Sequence, residues 1–577
     1  MNLNQNKIKD ISIVICGAAG QGIKTVENLL VHNFNNSGYH VFSTKEYMSR
    51  VRGGTNSVSI RVSSQKVAAL KNHIDILLPL HSKALNHLEK RISSETIVIG
   101  DREKICKECP PQVKKFIDTP LADMAEDIGG KIFINIIAAG IITGVLRFNL
   151  DQIKKDVKDF FSQKEKQIVE RNIQAVSQGY SYGKDFSDKQ DISFDLKPSS
   201  DIKKQVLING AEAVGFGALA GGCDFLSSYP MSPSTGVLVF ISQHAHEFEV
   251  VAEQAEDEIS AINMALGASY AGARSLVTTS GGGFALMGEG ISLAGMIETP
   301  IVVHVAQRPG PATGLPTRTE QGDLELVMHT GHGEFPRVIL APGKLEDAFS
   351  LTQKAFDLAD KYQIPVFILT DQFFMDSYTN IPAPDFQSIQ IKKHIIKTQK
   401  DYKRSLITRD GISPRGIPGY GEGLVGVDSD EHDEYSHITE DLDLRTKMVE
   451  KRLKKMEKIK GDAIPPELIG PKNYKNLIMG WGSTFYVIKE ALEILKLKKT
   501  AFLHFKQVFP LPNETKTYLK KADQIVMAEN NATSQFGKLI KLETGIEINK
   551  KILKYSGLAF SVEEMAEKIN HLLKQEE

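Results

Sequence analysis

Cysteine is scarce in this sequence, with 4 among 577 residues. Cys16, Cys106, Cys109 and Cys223 are too few and too scattered for a disulfide framework, so a chain kept reduced in the cytoplasm is expected. There is no excess of either charge. Lys plus Arg is 70 against 71 for Asp plus Glu, a formal net charge of -1. That balance gives no support to a nucleic-acid or membrane-surface binder. The opening MNLNQNKIKDISIV lacks a basic segment followed by a long apolar run, so no signal peptide is expected. No apolar run reaches bilayer length. The most apolar stretch, residues 132–146, carries Asn135 and reads as a buried helix. There is no short-period repeat either. What remains is globular: 41% hydrophobic, 24% charged and 46 glycines, over a length that suggests roughly three to five domains.

Alternation of strand-length apolar runs with helical patterns predicts an α/β protein of three α/β domains. Residues 1–182 open with ISIVIC, GAAGQG, a helical pattern and then YHVFST, a strand–turn–helix–strand order that predicts a βαβ unit and a parallel sheet. Residues 183–204 are charged, Ser-rich and weakly periodic, and read as a linker. Residues 205–385 alternate again, through FLSSYP, SLVTTS, IVVHVA, VILAP and VFILTD. Residues 386–472 read as an irregular connector closed by a strongly charged helix, expected to be solvated or bridging because acids and bases are mixed in it. Residues 473–577 form a third, smaller α/β domain.

Several segments could carry chemistry. In GAAGQG, Gly17, Gly20 and Gly22 would let backbone N–H groups approach a phosphate at a helix start. The spacing is not the dinucleotide fingerprint, and a ligand-free turn is the equal alternative. Glu46, after the second strand candidate, stands where a ribose-binding acid could be. Arg50, Arg52 and Arg61 surround a Gly pair and could hold phosphates or carboxylates, or line an interface. Cys106 and Cys109 form one CxxC with no second pair, half of what a tetrahedral zinc or a cluster needs, so no metal is assigned. The loop SSYPMSPST supplies Tyr229, Pro230, Met231 and Ser232 at the end of a strand, where parallel sheets bind ligands; a turn with a helix cap is the bland alternative. Glu258 heads the apolar stripe Ala261, Ile262, Ala265 and Leu266, so its carboxylate should be buried and either paired or protonated. Finally, HVAQRPGPATGLPTRTEQGDL puts Arg308, Thr317 and Arg318 on a loop stiffened by Pro and Gly, a plausible anion site.

Taken together, these segments resemble the alpha subunit of 2-oxoacid:ferredoxin (acceptor) oxidoreductases with the gamma domain fused at its N-terminus, most like the 2-oxoglutarate type. The resemblance covers nearly the whole chain. GAAGQG and RVRGGTNS look like the gamma domain, a Rossmann-like fold. YPMSPST is similar to the YPITPSS-type loop of a thiamine-enzyme pyrimidine domain. ENNATSQFGKL resembles a segment of the transketolase C-terminal-like domain, with Phe536 intruding before Gly537. The long arginine loop is the specific match.

That resemblance implies a division of labour. Glu258 would serve the pyrimidine of thiamine diphosphate as the catalytic acid. Tyr229, Pro230 and Met231 would line the coenzyme. Ser232, where the family usually has Thr, would hydrogen-bond substrate, and Arg308 would pair with a substrate carboxylate. Thr317 and Arg318 would reach the distal carboxylate of a dicarboxylic oxoacid. Gly17, Gly20, Gly22, Arg50 and Arg52 would serve CoA or an interface. No GDG motif occurs anywhere, since the residues after Gly100–Asp101, Gly322–Asp323 and Gly461–Asp462 are not glycine. The resemblance therefore assigns Mg²⁺, the diphosphate domain and an iron–sulfur cluster to a separate beta subunit, with ferredoxin as acceptor and an (alpha–beta)₂ assembly. Pyruvate or a branched-chain oxoacid is the alternative substrate. A non-catalytic nucleotide-binding scaffold is the alternative of another class.

Overall fold

A computed structural model describes residues 10–49, 54–106, 109–386 and 389–574. Two compact units emerge. One runs through Ile208 and adds Ser377–Ala383 and Ser561–Glu563. The other takes Asn209–Asp376, Pro384–Phe560 and the residues from Glu564 onward.

The first unit holds an eight-stranded sheet. Its strands are β1 (Asp10–Gly17), β2 (His40–Glu46), β3 (Asn56–Ser63), β4 (Ile76–Pro79), β5 (Ile97–Gly100), β6 (Lys115–Asp118), β7 (Gln205–Asn209) and the strand Tyr378–Pro382. The βαβ unit is present, with β1 and β2 running the same way, but the two are not neighbours and the sheet is mixed. β3 lies between β1 and β2 and runs antiparallel to both. The return from β2 is thus a hairpin, and Glu46 is two strands away from the glycine turn rather than beside it, so it does not occupy the place of a ribose-binding acid. The apolar stretch forms the helix Ile134–Val145, buried from Ile136 onward. It packs against the helix Lys166–Lys189 through Gly140, Gly144, Gly179 and Gly183. A Cβ on any of them would fall 2.1–2.3 Å from a backbone oxygen of the other helix. That helix also runs past residue 182 and absorbs the start of the expected linker, because its buried face continues through Gly183 and Ser187. Cys106 and Cys109, in a chain expected to be kept reduced, are joined by a disulfide; Cys16 and Cys223 are free and buried.

The second unit contains two sheets. The larger, seven-stranded one includes β8 (Phe225–Ser228), β9 (Val251–Gln254), β10 (Ser275–Thr279), β11 (Ile301–Gln307), β12 (Val338–Leu340) and β13 (Pro365–Asp371), all parallel. Its seventh strand, Gln507–Phe509, comes from the last segment of the chain and pairs antiparallel with β12. The five-stranded sheet is built on Asn476–Trp481, and one edge strand, Glu467–Ile469, falls inside the stretch expected to be an irregular connector. A single hydrophobic core spans both sheets, from Ala261, Phe284 and Val303 to Trp481, Phe505 and Phe536. Among the described residues no single helix is long and apolar enough to cross a membrane.

The charged helix, Leu442–Gly461, is corrected as well. It is not wholly solvated: Lys451 and Lys455 are fully buried and both pair with Glu298, which is itself 2% exposed. Arg404 closes the cluster by donating to the carbonyls of Ile297 and Glu298. Burial alone would raise the Glu298 carboxyl, but the two lysines outweigh it and hold the group far below the usual carboxylate range.

Candidate functional site

In the second unit the parallel strands deliver their loops to one edge of the sheet, the edge where such folds bind ligands. Four loops after β8, β9, β10 and β11 carry the residues singled out in the sequence. The loop after β8 is pinned at its base by Ser228, whose hydroxyl donates to the Thr278 carbonyl at 2.5 Å. It continues through Tyr229, Pro230 and Met231 to a cis Ser232–Pro233 bond, and Ser234 closes the turn onto the Met231 carbonyl. The Ser232 side chain is exposed, and its carbonyl accepts a 2.6 Å bond from Arg308 Nη1.

After β9, Asp257 caps the helix Glu258–Tyr270, accepting from the Ser260 amide at 2.7 Å. Glu258 is the first helical residue and is 4% exposed, as its place at the head of the apolar stripe predicts. Its Oε1 is sealed from solvent and has no hydrogen-bond partner among the described residues. An orphaned buried carboxylate oxygen is costly unless something outside the chain completes it. The neighbour is Gly283, in the first turn of the helix Gly281–Leu286 that follows β10. A Cβ there would stand 2.5 Å from Glu258 Oε1 and 2.3 Å from the Thr279 hydroxyl. The site thus combines an unpaired acid with a backbone kept bare around it.

After β11 comes the arginine loop. It contains a second cis bond, Gly310–Pro311, and exposes Leu315. Thr317 and Arg318 lie on its returning limb, partly exposed, and Arg318 rests on Gly557. The limb is then stitched into the last segment of the chain. The Thr319 hydroxyl donates to buried Asp371 at 3.1 Å. The Gln321 amide donates to the Asn530 carbonyl at 2.7 Å, and the Asn530 amide returns to Gln321 Oε1 at 2.9 Å. Gln321 Nε2 reaches the Trp481 carbonyl, Asn531 reaches the Gln321 carbonyl, and Gln535 reaches the Gly322 carbonyl. Glu529, in the same ENNATSQFG segment, accepts from Trp481, Asn531, Ser534, Phe536 and Gly537, so it braces this clamp.

Motif reading missed Asp323, at the end of the arginine loop. Its amide donates to Gln307 Oε1 at 3.0 Å, and its carboxylate faces Gly281, where a Cβ would lie 2.4–2.5 Å from both oxygens. Burial, with help from Glu320, pushes its carboxyl up to about 7 against the pull of Arg308. Two acids, Glu258 and Asp323, therefore bracket the bare turn Gly281–Gly283. No sequence pattern marks Asp323, because the Gly281 backbone that its carboxylate faces lies on another segment of the chain.

The glycine motif belongs to the other unit. Gly20 and Gly22 line a cavity of about 380 Å³ together with Gln21, Lys104, Lys131 and Asn135, at the start of the helix Ile23–Asn36. Gly22 has φ of 71°, and a side chain there would strike Asn135. Gly17 ends β1 behind Gln21. Arg50 and Arg52 lie outside the described residues. Among the described residues no group of three or more His, Cys, Asp and Glu is placed to hold a metal ion.

Comparison with known proteins places this geometry in a family. The domain family described as "Pyruvate flavodoxin/ferredoxin oxidoreductase, thiamine diP-bdg" matches residues 216–451, and "Pyruvate ferredoxin/flavodoxin oxidoreductase" matches residues 12–182. The chain is 32% identical to a 2-oxoacid:ferredoxin oxidoreductase subunit alpha from a Sulfolobus species, over 98% of both chains. It is 26% identical to the 2-oxoglutarate oxidoreductase subunit KorA of Mycobacterium tuberculosis, over 97% of this chain and 91% of that one. A solved 2-oxoglutarate:ferredoxin oxidoreductase from Magnetococcus marinus, with 2-oxoglutarate, coenzyme A and succinyl-CoA bound, superposes with a TM-score of 0.91 at 28% identity, covering 98% of this chain and all of that one. With full-length identity above thirty per cent to the first of these, the chain belongs to the alpha subunits of the 2-oxoacid:ferredoxin oxidoreductases.

Proposed function

We propose that this alpha subunit decarboxylates 2-oxoglutarate oxidatively, with its site residues acting in the roles their positions suggest. The overall conversion is R–CO–COO⁻ + CoA–SH → R–CO–S–CoA + CO₂ + H⁺ + two electrons, the electrons leaving singly toward ferredoxin. Bound thiamine diphosphate supplies the carbon nucleophile and the electron sink for loss of CO₂. The observation that carries the reading is the orphaned Glu258 Oε1 beside the bare Gly283 backbone. That pairing fits a coenzyme ring that offers a nitrogen to the acid and needs the glycine's space. Glu258 would hold a proton between Oε1 and that ring nitrogen. Tyr229, Pro230 and Met231 would wall the coenzyme, and the Ser232 hydroxyl would bond substrate.

Arg308, anchored on the Ser232 carbonyl, would grip the substrate's 2-oxo-acid carboxylate through a charge-assisted bond. Thr317 and Arg318 would meet the distal carboxylate, which favours a dicarboxylic oxoacid over pyruvate or a branched-chain one. The cavity at Gly20 and Gly22 would take part of CoA. Mg²⁺, the diphosphate domain and an iron–sulfur cluster would come from a beta subunit in an (alpha–beta)₂ assembly. Exposed Tyr229, Ile259, Leu286 and Leu315, carried on the segments that follow the four strands, support a partner covering them.

Two measurements test this on the holoenzyme. Glu258→Gln should lower turnover by about 10²–10⁴-fold while the complex still elutes intact; near-normal turnover would overturn the role. On a panel of oxoacids, 2-oxoglutarate should lead in kcat/KM, and Arg318→Ala should erase that lead. A preference for pyruvate would reassign the substrate.

A further inference from the structure

We propose that Gly557, in the last segment of the chain, is a positioning residue that seats Arg318 and so sets the preference for a dicarboxylic over a monocarboxylic oxoacid. The inference rests on the reading of Arg318 as the contact for the distal carboxylate and names what fixes that contact in place. Three observations carry it. The Gly557 carbonyl accepts from the Thr319 amide at 3.1 Å, which ties the returning limb to this point one residue past Arg318. The Gly557 Cα is bare where the limb arrives: a Cβ on it would stand 3.2 Å from Arg318 Cβ, 3.5 Å from Arg318 Cγ and 3.2 Å from Leu315 Cδ1. And Gly557 is buried with a φ of 81°, a left-handed backbone that glycine adopts without steric cost.

Each side of this contact is held. On the loop side, the Leu315 amide donates to the Pro309 carbonyl at 3.0 Å and the Arg318 amide to the Leu315 carbonyl at 3.1 Å, so Leu315 and Arg318 shift as one turn. On the other side, residues 554–558 leave the strand Lys550–Leu553 and are held by Asn530, whose Nδ2 donates to the Lys554 carbonyl at 2.6 Å and to the Leu558 carbonyl at 3.4 Å. Asn530 is also the residue whose backbone grips Gln321. The Gly557 turn and the arginine limb are thus fastened to one asparagine, which leaves little slack to take up an added methyl group.

The consequence is selective. A displaced Arg318 stem carries its guanidinium with it, and a charge-assisted hydrogen bond weakens steeply once its geometry is lost. Only an oxoacid with a second carboxylate uses that guanidinium. Arg308 is anchored elsewhere, on the Ser232 carbonyl, so the grip on the 2-oxo-acid carboxylate stays as it was.

The test is steady-state kinetics of the holoenzyme on 2-oxoglutarate and on pyruvate, with a viologen dye as acceptor. Gly557→Ala should raise the KM for 2-oxoglutarate about tenfold, the effect of one impaired bond to a charged group, and leave kcat and the KM for pyruvate close to wild type. If pyruvate turns over too slowly, its inhibition constant against 2-oxoglutarate replaces its KM. Gly545→Ala controls for backbone strain, because Gly545 has a φ of 74° but nothing within 4 Å of its Cβ; it should keep the wild-type ratio. Should Gly557→Ala fail to assemble, Gly557→Asn, which tolerates a left-handed backbone and still carries the Cβ, should show the same selective rise. Equal losses on both substrates, an unchanged ratio, or the same shift in Gly545→Ala would overturn the proposal. Arg318→Ala separates it from the reading beneath it. If that variant keeps the preference for 2-oxoglutarate, the distal-carboxylate assignment fails and the role of Gly557 falls with it. If Arg318→Ala erases the preference while Gly557→Ala keeps it, only the role of Gly557 fails. In the double variant, Gly557→Ala should cost 2-oxoglutarate nothing beyond Arg318→Ala; additive losses would count against the seat as well.

Discussion

At Gly283 a single hydrogen in place of a methyl group keeps Glu258 and Thr279 where they are. Alanine there would bring its Cβ to 2.5 Å from one and 2.3 Å from the other, closer than any real contact, so the turn or the acid must move. Gly283→Ala should cost about 1–3 kcal/mol of stability and displace Glu258 as well. Thermal unfolding of the subunit and turnover of the holoenzyme should both fall, whereas Gly267→Ala, with open space at its Cβ, should leave both near wild type. The two acids of the site differ in how far the sequence announces them. Glu258 could be found because a helix repeats its burial every three or four residues, and the stripe behind it is apolar. Asp323 could not, because its raised proton affinity comes from burial and from Glu320, against the pull of Arg308, and the Gly281 backbone that its carboxylate faces lies on another segment.

Among the elements, the helix Leu442–Gly461 shows why charge patterning misleads. Mixed acids and lysines read as a solvated face, yet Lys451 and Lys455 turn inward because Glu298 waits there, at the end of a helix some 150 residues earlier in the chain. Removing one partner of such a cluster strands the rest. Glu298→Ala should destabilise the second unit by about 3–5 kcal/mol. The pH dependence has a definite sign. A carboxyl held below its ordinary value, 4.5, stabilises fully above that pH and loses its contribution as pH falls toward the folded value. Wild type should thus lose melting temperature as pH drops below about 4.5, and Glu298→Gln, which has no such proton to take up, should start lower and show a shallower acid slope over the same window. The sheet of the first unit carries a similar lesson. Local pattern gives a strand, a glycine turn, a helix and a strand correctly, but whether the next strand returns as a hairpin between them is decided by pairing across the sheet, which no local run of residues encodes.

For the whole molecule, the last segment matters most. It contributes no residue to the candidate substrate contacts, yet Trp481, Asn530, Asn531 and Gln535 hold the returning limb of the arginine loop at Gln321 and Gly322. Gln321→Ala should remove the two bonds made by its side chain, to the Trp481 carbonyl and from the Asn530 amide, and leave Arg318 on a looser limb. Its expected signature is a KM raised by about tenfold, the size of one lost charge-assisted contact, with faster tryptic cleavage at Arg318 than in wild type; equal cleavage rates would show that the clamp is dispensable. The family itself was legible from ordered motifs, since each short segment survives as a local shape. The clamp was not, because its two halves are separated by some two hundred residues and meet only in the shared core.

That clamp bears on how the polypeptide matures during synthesis. A nascent chain halted before Lys475 already possesses Glu258, Arg308 and Arg318, but it has neither the strand Gln507–Phe509 that completes the seven-stranded sheet nor the asparagines that seat its substrate loop. Translation through the final strand and helix is therefore the event that converts a collection of correctly spaced side chains into a binding surface, and prematurely terminated products should be cleared as unfolded waste rather than linger as weakly active enzyme.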